Sequence, residues 1–172
     1  MTWWKAALFD TCSLITLDKA ILEQADFAAH FPTSILALED SFAADQLRAE
    51  TVGRMRHRVT LCPLPTPLEL AGALRTGVPK ALSTVDRMVY ATTVCRQIPV
   101  VTADKQLARA VRAKEIRVGN MALILRELVN GRQLTAKACE KLLLGLAAQN
   151  DFILLGCRTP RWSDLRAYTF PD

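Results

Sequence analysis

The sequence predicts an α/β domain in which a central parallel sheet carries helices on both faces. Three observations lead there. Short apolar runs closed by aspartate, threonine or proline alternate with segments of helical periodicity, the pattern of successive β–α units. Leucine (25) and alanine (24) supply 49 of the 172 residues, which favours helices over an all-β sandwich. Glycine and proline total only 15, and no repeat or low-complexity stretch interrupts the chain, so one domain over residues 1–172 is expected.

Ala6–Phe9 is an apolar run closed by Asp10-Thr11, as in a buried strand. Residues Ser13–Gln24 follow with Leu14, Leu17, Ile21 and Leu22 at helical spacing. A second helix is expected over Thr33–Glu50, behind Pro32, with Ile35, Leu36, Leu38, Phe42 and Leu47 as its apolar positions. Arg58–Cys62 reads as a strand ended by Pro63 and Pro65, and Thr66-Pro67 opens a short helix. Ser83–Gln97 is a further helix, leading directly into the strand Ile98–Thr102. Asp104–Ala113 is expected to be helical, Ile116–Val118 a strand, and Met121–Asn130 with Thr135–Ala148 a helical pair around Gly131. Cys157–Asp172, with two prolines and mixed polarity, is expected to be irregular. The core thus covers about 5–120, the helical tail 121–150 and the irregular end 157–172.

Composition narrows the function classes. Hydrophobic residues at 51% and charged residues at 23% exclude wholesale disorder. The five cysteines, at 12, 62, 95, 139 and 157, form no C-x-x-C pair, which points away from a zinc site or disulfide framework and towards reduced thiols. The apolar start is too short for a secretory segment, and Leu142–Ala148 falls far below the ~20 residues of a membrane span, so a soluble cytoplasmic protein with no membrane partner is expected. His30 and His57 are the only histidines, leaving little material for a histidine metal site or a Ser/His/Asp triad. Glycine-rich phosphate loops are also missing.

Carboxylates remain. Asp10, Asp86 and Asp104 each fall at a strand–helix junction or in a first helical turn, and Glu39 sits in an apolar segment. Each has a structural explanation: aspartate is a preferred helix cap, and Ser83-Thr-Val-Asp86 matches a capping box. Gathered at one sheet end, four acids would repel each other unless a cation lay among them. Oxygen ligands without histidine or cysteine suit Mg²⁺ or Mn²⁺.

Leu8-Phe9-Asp10-Thr11-Cys12-Ser13-Leu14-Ile15 resembles the opening motif of PIN domains. Ser83-x-x-Asp86 with Ala91-Thr92, then Val100-Val101-Thr102-Ala103-Asp104-Lys105-x-Leu107, resembles their third and fourth motifs. The resemblance covers roughly residues 5–120. It implies a Rossmann-like three-layer α/β/α sandwich and a divalent-metal endoribonuclease, often the toxin of a toxin–antitoxin pair. Carried over residue by residue, it implies metal-site and catalytic roles for Asp10, Asp86 and Asp104, with Thr102 supporting the last. The remaining family acid falls on Glu39, with Asp40 as the adjacent candidate. The implied cofactor is Mg²⁺ or Mn²⁺; the expected partners are RNA, an antitoxin protein and a second copy of the chain in a homodimer.

An RNA substrate needs positive surface, and Lys plus Arg exceed Asp plus Glu by 22 to 17. Lys105, Arg109 and Arg112 recur on one helical face beginning beside Asp104, and Arg54-Met-Arg56-His-Arg58 forms a second basic cluster. Either is equally explained as a solvated face. Trp3, Trp4 and Trp162 could stack on bases or fill a core or dimer contact. The alternative to a nuclease is a non-catalytic module that keeps the fold and binds nucleic acid or a partner. A phosphotransfer hydrolase with Asp10 as nucleophile would need an acid at position 12, where the chain has Cys12.

Overall fold

A computed structural model describes residues 2–31, 34–42, 47–78, 81–151, 153–154 and 157–170. Among them five parallel strands form one sheet: β1 (Leu8–Phe9), β2 (Ile35–Leu38), β3 (Val59–Cys62), β4 (Val100–Val101) and β5 (Val118–Gly119). Their order across the sheet is β3-β2-β1-β4-β5. The register sets Phe9 against Ala37 on one side and Val101 on the other. The intervening helices are α1 (Thr11–Glu23), α2 (Ala49–Met55), α3 (Pro67–Arg75), α4 (Thr84–Arg96), α5 (Lys105–Arg112), α6 (Met121–Asn130), α7 (Ala136–Ala148) and α8 (Trp162–Ala167).

The three layers follow from the two-residue period of a strand, which sends successive side chains to opposite faces. Phe9, Ile35, Ala37 and Val101 join Leu14, Leu17, Ile124, Leu125, Leu142 and Leu165 in one buried cluster, built on α1, α6, α7 and α8. Leu8, Leu38 and Val100 enter a second cluster with Ala73, Val89, Tyr90, Leu107 and Val111, from α3, α4 and α5. With both faces covered, the central strands are apolar throughout instead of alternating.

Local chemistry starts the helices where the sequence suggests. Asp10, Ser83, Asp104, Asn120 and Thr135 each accept a hydrogen bond at the helix start from the backbone N–H three residues on. Thr66 and Glu69 complete a reciprocal capping box behind Pro67. Gln97 ends α4 in the left-handed region, at φ 55°, so the chain turns at once into β4.

Two expectations are corrected. The expected helix over 33–50 is not formed: the described residues of that segment hold β2, a 3-10 turn at Asp40–Phe42 and the start of α2. Pro32 and Thr33, expected to open that helix, lie outside the described residues. Ile35-Leu36-Ala37-Leu38 fills the sheet between β1 and β3, and its apolar residues on both faces imitate a helical stripe. The C-terminal stretch is not wholly irregular, since α8 buries Leu165 completely and its first turn is held by Arg161 N donating to Asp164 Oδ2 at 2.8 Å. Trp4 is fully buried, and Trp3 and Trp162 pack against the same core, so packing accounts for all three tryptophans. Among the described residues no helix is long and apolar enough to cross a membrane.

Candidate metal centre at the carboxyl edge of the sheet

Parallel strands all end at one edge, and the strand order makes one place on it special. From β1 the chain moves outwards through β2 and β3, then returns to lay β4 and β5 on the other side. The crevice where that direction reverses, between the ends of β1 and β4, is where open α/β sheets bind ligands. Asp10 follows β1 there, and Thr102-Ala103-Asp104 follow β4.

Asp10 is 2% exposed and held on both oxygens. Ser13 N donates to Oδ1 at 2.7 Å, and the Thr102 hydroxyl donates to Oδ2 at 2.5 Å. The same Thr102 oxygen accepts from Asp104 N at 3.0 Å, so one hydroxyl ties the two acids together. Asp104 in turn caps α5, its Oδ1 accepting from Leu107 N at 2.7 Å. Ser13 is fixed against the sheet by donating its hydroxyl to Val101 O at 2.9 Å.

Burial pushes the Asp10 carboxyl up to about 6; the Ser13 and Thr102 hydrogen bonds oppose the rise, and the negative charge of Asp86 adds to it. Both of its hydrogen-bond donors are neutral. Asp86, half-buried in the first turn of α4, is bonded by Ser83 Oγ at 2.6 Å. Cys12 stands in the same field. Desolvation of its sulfur, followed by the charges of Asp10, Asp86, Asp104 and Asp151, pushes the thiol up to about 11, although the residue keeps exposed surface.

Glu39 and Asp40 arrive by a different element from the one expected. Continuing the register from Ala37 beside Phe9 places Leu38 level with Asp10, so both acids stand just beyond the same sheet edge. Glu39 is exposed and Asp40 half-buried. Thr11 Oγ1 donates to Ser41 O at 3.4 Å, tying this turn to the start of α1. Among the described residues no group of three or more His, Cys, Asp or Glu side chains is gathered tightly enough to hold a metal ion as it stands.

The two basic clusters differ in position. Lys105 and Arg109 are exposed on α5, which starts at Asp104, while Arg112 on the same helix lies 4.4 Å from the centre of the Phe170 ring. Arg56 and Arg58 precede β3 and so lie at the opposite, amino edge of the sheet. Arg58 donates to Ala28 O at 3.4 Å, and its own carbonyl accepts from Ile35 N at the start of β2. Arg54 makes a two-pronged pair with Asp18, Nε to Oδ1 at 2.8 Å and Nη2 to Oδ2 at 2.6 Å. Asp18 lies eight residues along α1 from Asp10, about 12 Å at the helical rise. Of the 54–58 cluster, Arg54 and Arg58 are thus engaged by the fold, and Arg56 is exposed.

Asp151 escapes sequence reasoning. It follows the end of α7, 141 positions after Asp10, with no local motif to mark it. Its carboxylate accepts from Thr16 Oγ1 at 3.0 and 3.2 Å and pairs with Lys19 Nζ at 3.2 Å. It lines a cavity of about 80 Å³ bordered by Ser13, next to the acids, and by Tyr168 and Phe170 of the C-terminal segment. No protein-family model matches the chain, and neither curated proteins nor solved structures provide a match.

Proposed function

We propose that the chain is a divalent-metal-dependent endoribonuclease whose Mg²⁺ or Mn²⁺ is held by Asp10, Asp86 and Asp104, with Glu39 at the rim. The supporting observation is the burial of Asp10 at the switch point, with neutral donors only and with Asp86 and Asp104 contributing to the same negative field. The donor set is oxygen alone, which suits a hard cation. Such a cation would polarise the scissile phosphate and stabilise charge on the attacking and leaving oxygens. Thr102 orients Asp10 while bonding the backbone of Asp104, so one side chain links the positions of the two acids. Lys105 and Arg109, exposed beside Asp104, attract the RNA phosphates. The PIN-like motifs favour the same reading, and with it the toxin role in a toxin–antitoxin pair, a cytoplasmic setting, an antitoxin partner and a homodimer.

Asp104→Asn tests it, because asparagine caps a helix about as well as aspartate. Single-turnover cleavage of a mixed RNA pool in Mn²⁺ is expected to fall to background while the melting temperature stays within a few degrees. Full activity in Asp104→Asn would overturn the assignment. The second reading is a non-catalytic nucleic-acid or partner-binding module, in keeping with there being no formed group of three or more ligands among the described residues. It predicts no Mn²⁺-dependent gain in thermal stability.

A further inference from the structure

We propose that the cavity between α1 and the C-terminal segment is a guanine-binding subsite. It is partly enclosed, with Met121 and Ile153 supplying apolar surface and Tyr168 and Phe170 supplying aromatic surface. Both rings are held in place. Asn120 Nδ2 donates to the Tyr168 hydroxyl at 2.7 Å, Arg126 Nη1 donates to the Tyr168 carbonyl at 2.6 Å, and the Arg112 guanidinium covers Phe170. Preorganised aromatic faces beside a polar edge are how proteins take up unstacked bases of single-stranded RNA.

The polar group that selects the base is Asp151. Its side chain is 14% exposed. A carboxylate offers about four acceptor positions, and Thr16 and Lys19 occupy only part of them. Guanine alone among the four bases presents two adjacent N–H donors, N1–H and the N2 amino group, on its pairing edge. Adenine and cytosine each place a lone pair beside their amino group, and uracil flanks its single N–H with carbonyls. A carboxylate at the base edge therefore accepts two parallel bonds from guanine and meets at least one repulsive contact from the others. Lys105, exposed on the cavity lip next to Asp104, can neutralise the phosphate of the same nucleotide.

This subsite rests on the nuclease reading for its place next to the scissile phosphate, but its binding can be measured without catalysis. The experiment is calorimetric titration of the full chain, in chelator, with the four nucleoside 5′-monophosphates. Guanosine monophosphate is expected to bind about tenfold or more tighter than the other three, the scale of one good bidentate base contact. Asp151→Asn is expected to abolish that preference, because its amide presents a donor to N1–H, while asparagine can still accept from Thr16. Phe170→Ala is expected to weaken all four alike, since stacking does not distinguish bases by their edges. Should Asp151→Asn fail to fold, 1-methylguanosine and inosine monophosphates make the same test on the wild-type chain, each removing one donor and with it the preference. Equal affinity for all four nucleotides, or a guanine preference that survives both the variant and the altered bases, overturns the subsite. RNA cleavage without guanine preference would remove the subsite and leave the nuclease; guanine preference without cleavage would do the reverse.

Discussion

Asp10→Asn is the substitution in which the metal-site account departs most sharply from a purely structural one. Asp10 is ionised at neutral pH in a buried position, and burial lifts its carboxyl from 3.8 to about 6. Two pKa units correspond to about 3 kcal/mol of differential stability. The folded value lies above the unfolded one, so this contribution is fully present below about 3.8 and is lost as the pH rises through about 6. At pH 8 the metal-free wild type therefore carries the whole penalty. Asparagine removes the charge and can still accept from Ser13 N, but it cannot also accept from the Thr102 hydroxyl, which costs about 1 kcal/mol. The variant is expected to be about 1–2 kcal/mol more stable than wild type at pH 8 in chelator, and to lose that advantage at pH 4.5. Urea denaturation at the two pH values measures this, and the other carboxylates cancel in the difference between the proteins. Saturating Mn²⁺ should reverse the order, since ligand at a hundred times its dissociation constant adds about 2.7 kcal/mol to the protein that binds it. Equal destabilisation of Asp10→Asn at both pH values would refute the reasoning, because it would make the residue a cap and nothing more.

Three further outcomes are expected. Arg54→Met leaves Asp18, whose side chain is 5% exposed, with Thr51 as its remaining hydrogen-bond donor, and should cost about 1–3 kcal/mol in urea melts. Burial pushes the Asp18 carboxyl up, but Arg54 and Thr51 together hold it below its usual range, so that loss should be present near neutrality and shrink as the pH falls through the Asp18 value. Arg109→Ala should flatten the dependence of log K on log salt for single-stranded RNA by about 0.7, while Arg56→Ala at the far sheet edge leaves it unchanged; filter binding over a salt series reads both. Gly119→Ala drives a methyl group into the Trp3 indole, which Glu127 holds through Nε1 at 2.8 Å and Arg117 covers, and a loss of about 1–3 kcal/mol is expected by thermal denaturation.

The parts of the fold that were legible in the sequence are those with local punctuation. Asp10, Thr66-Pro67, Ser83, Asp104 and Thr135 mark helix starts with side chains that bond the first turn, and these starts lie within a residue or two of where they are expected. β2 lacked such a mark. Its residues are leucine, isoleucine and alanine, equally at home in a buried helix, and only the neighbouring strands on either side decide the matter. Glu39 lies in the turn after β2 and not in a helix, yet it still reaches the sheet edge, because a strand parallel to β1 ends where β1 ends. The basic cluster shows the converse: the spacing of Arg54, Arg56 and Arg58 does not reveal that strand direction puts the last two at the amino edge. Asp151 and the ring of Phe170 join the site through tertiary packing over more than a hundred residues of chain, and no spacing in the sequence encodes that contact.

The most direct measurement is single-turnover hydrolysis of a mixed RNA pool by the wild-type chain, in Mn²⁺ and in excess chelator, with Asp10→Asn and Asp86→Asn run alongside. The account predicts cleavage by the wild type in Mn²⁺ only, and background rates for both variants despite folded melts. Cleavage that persists in chelator, or that survives either substitution at full rate, would contradict it.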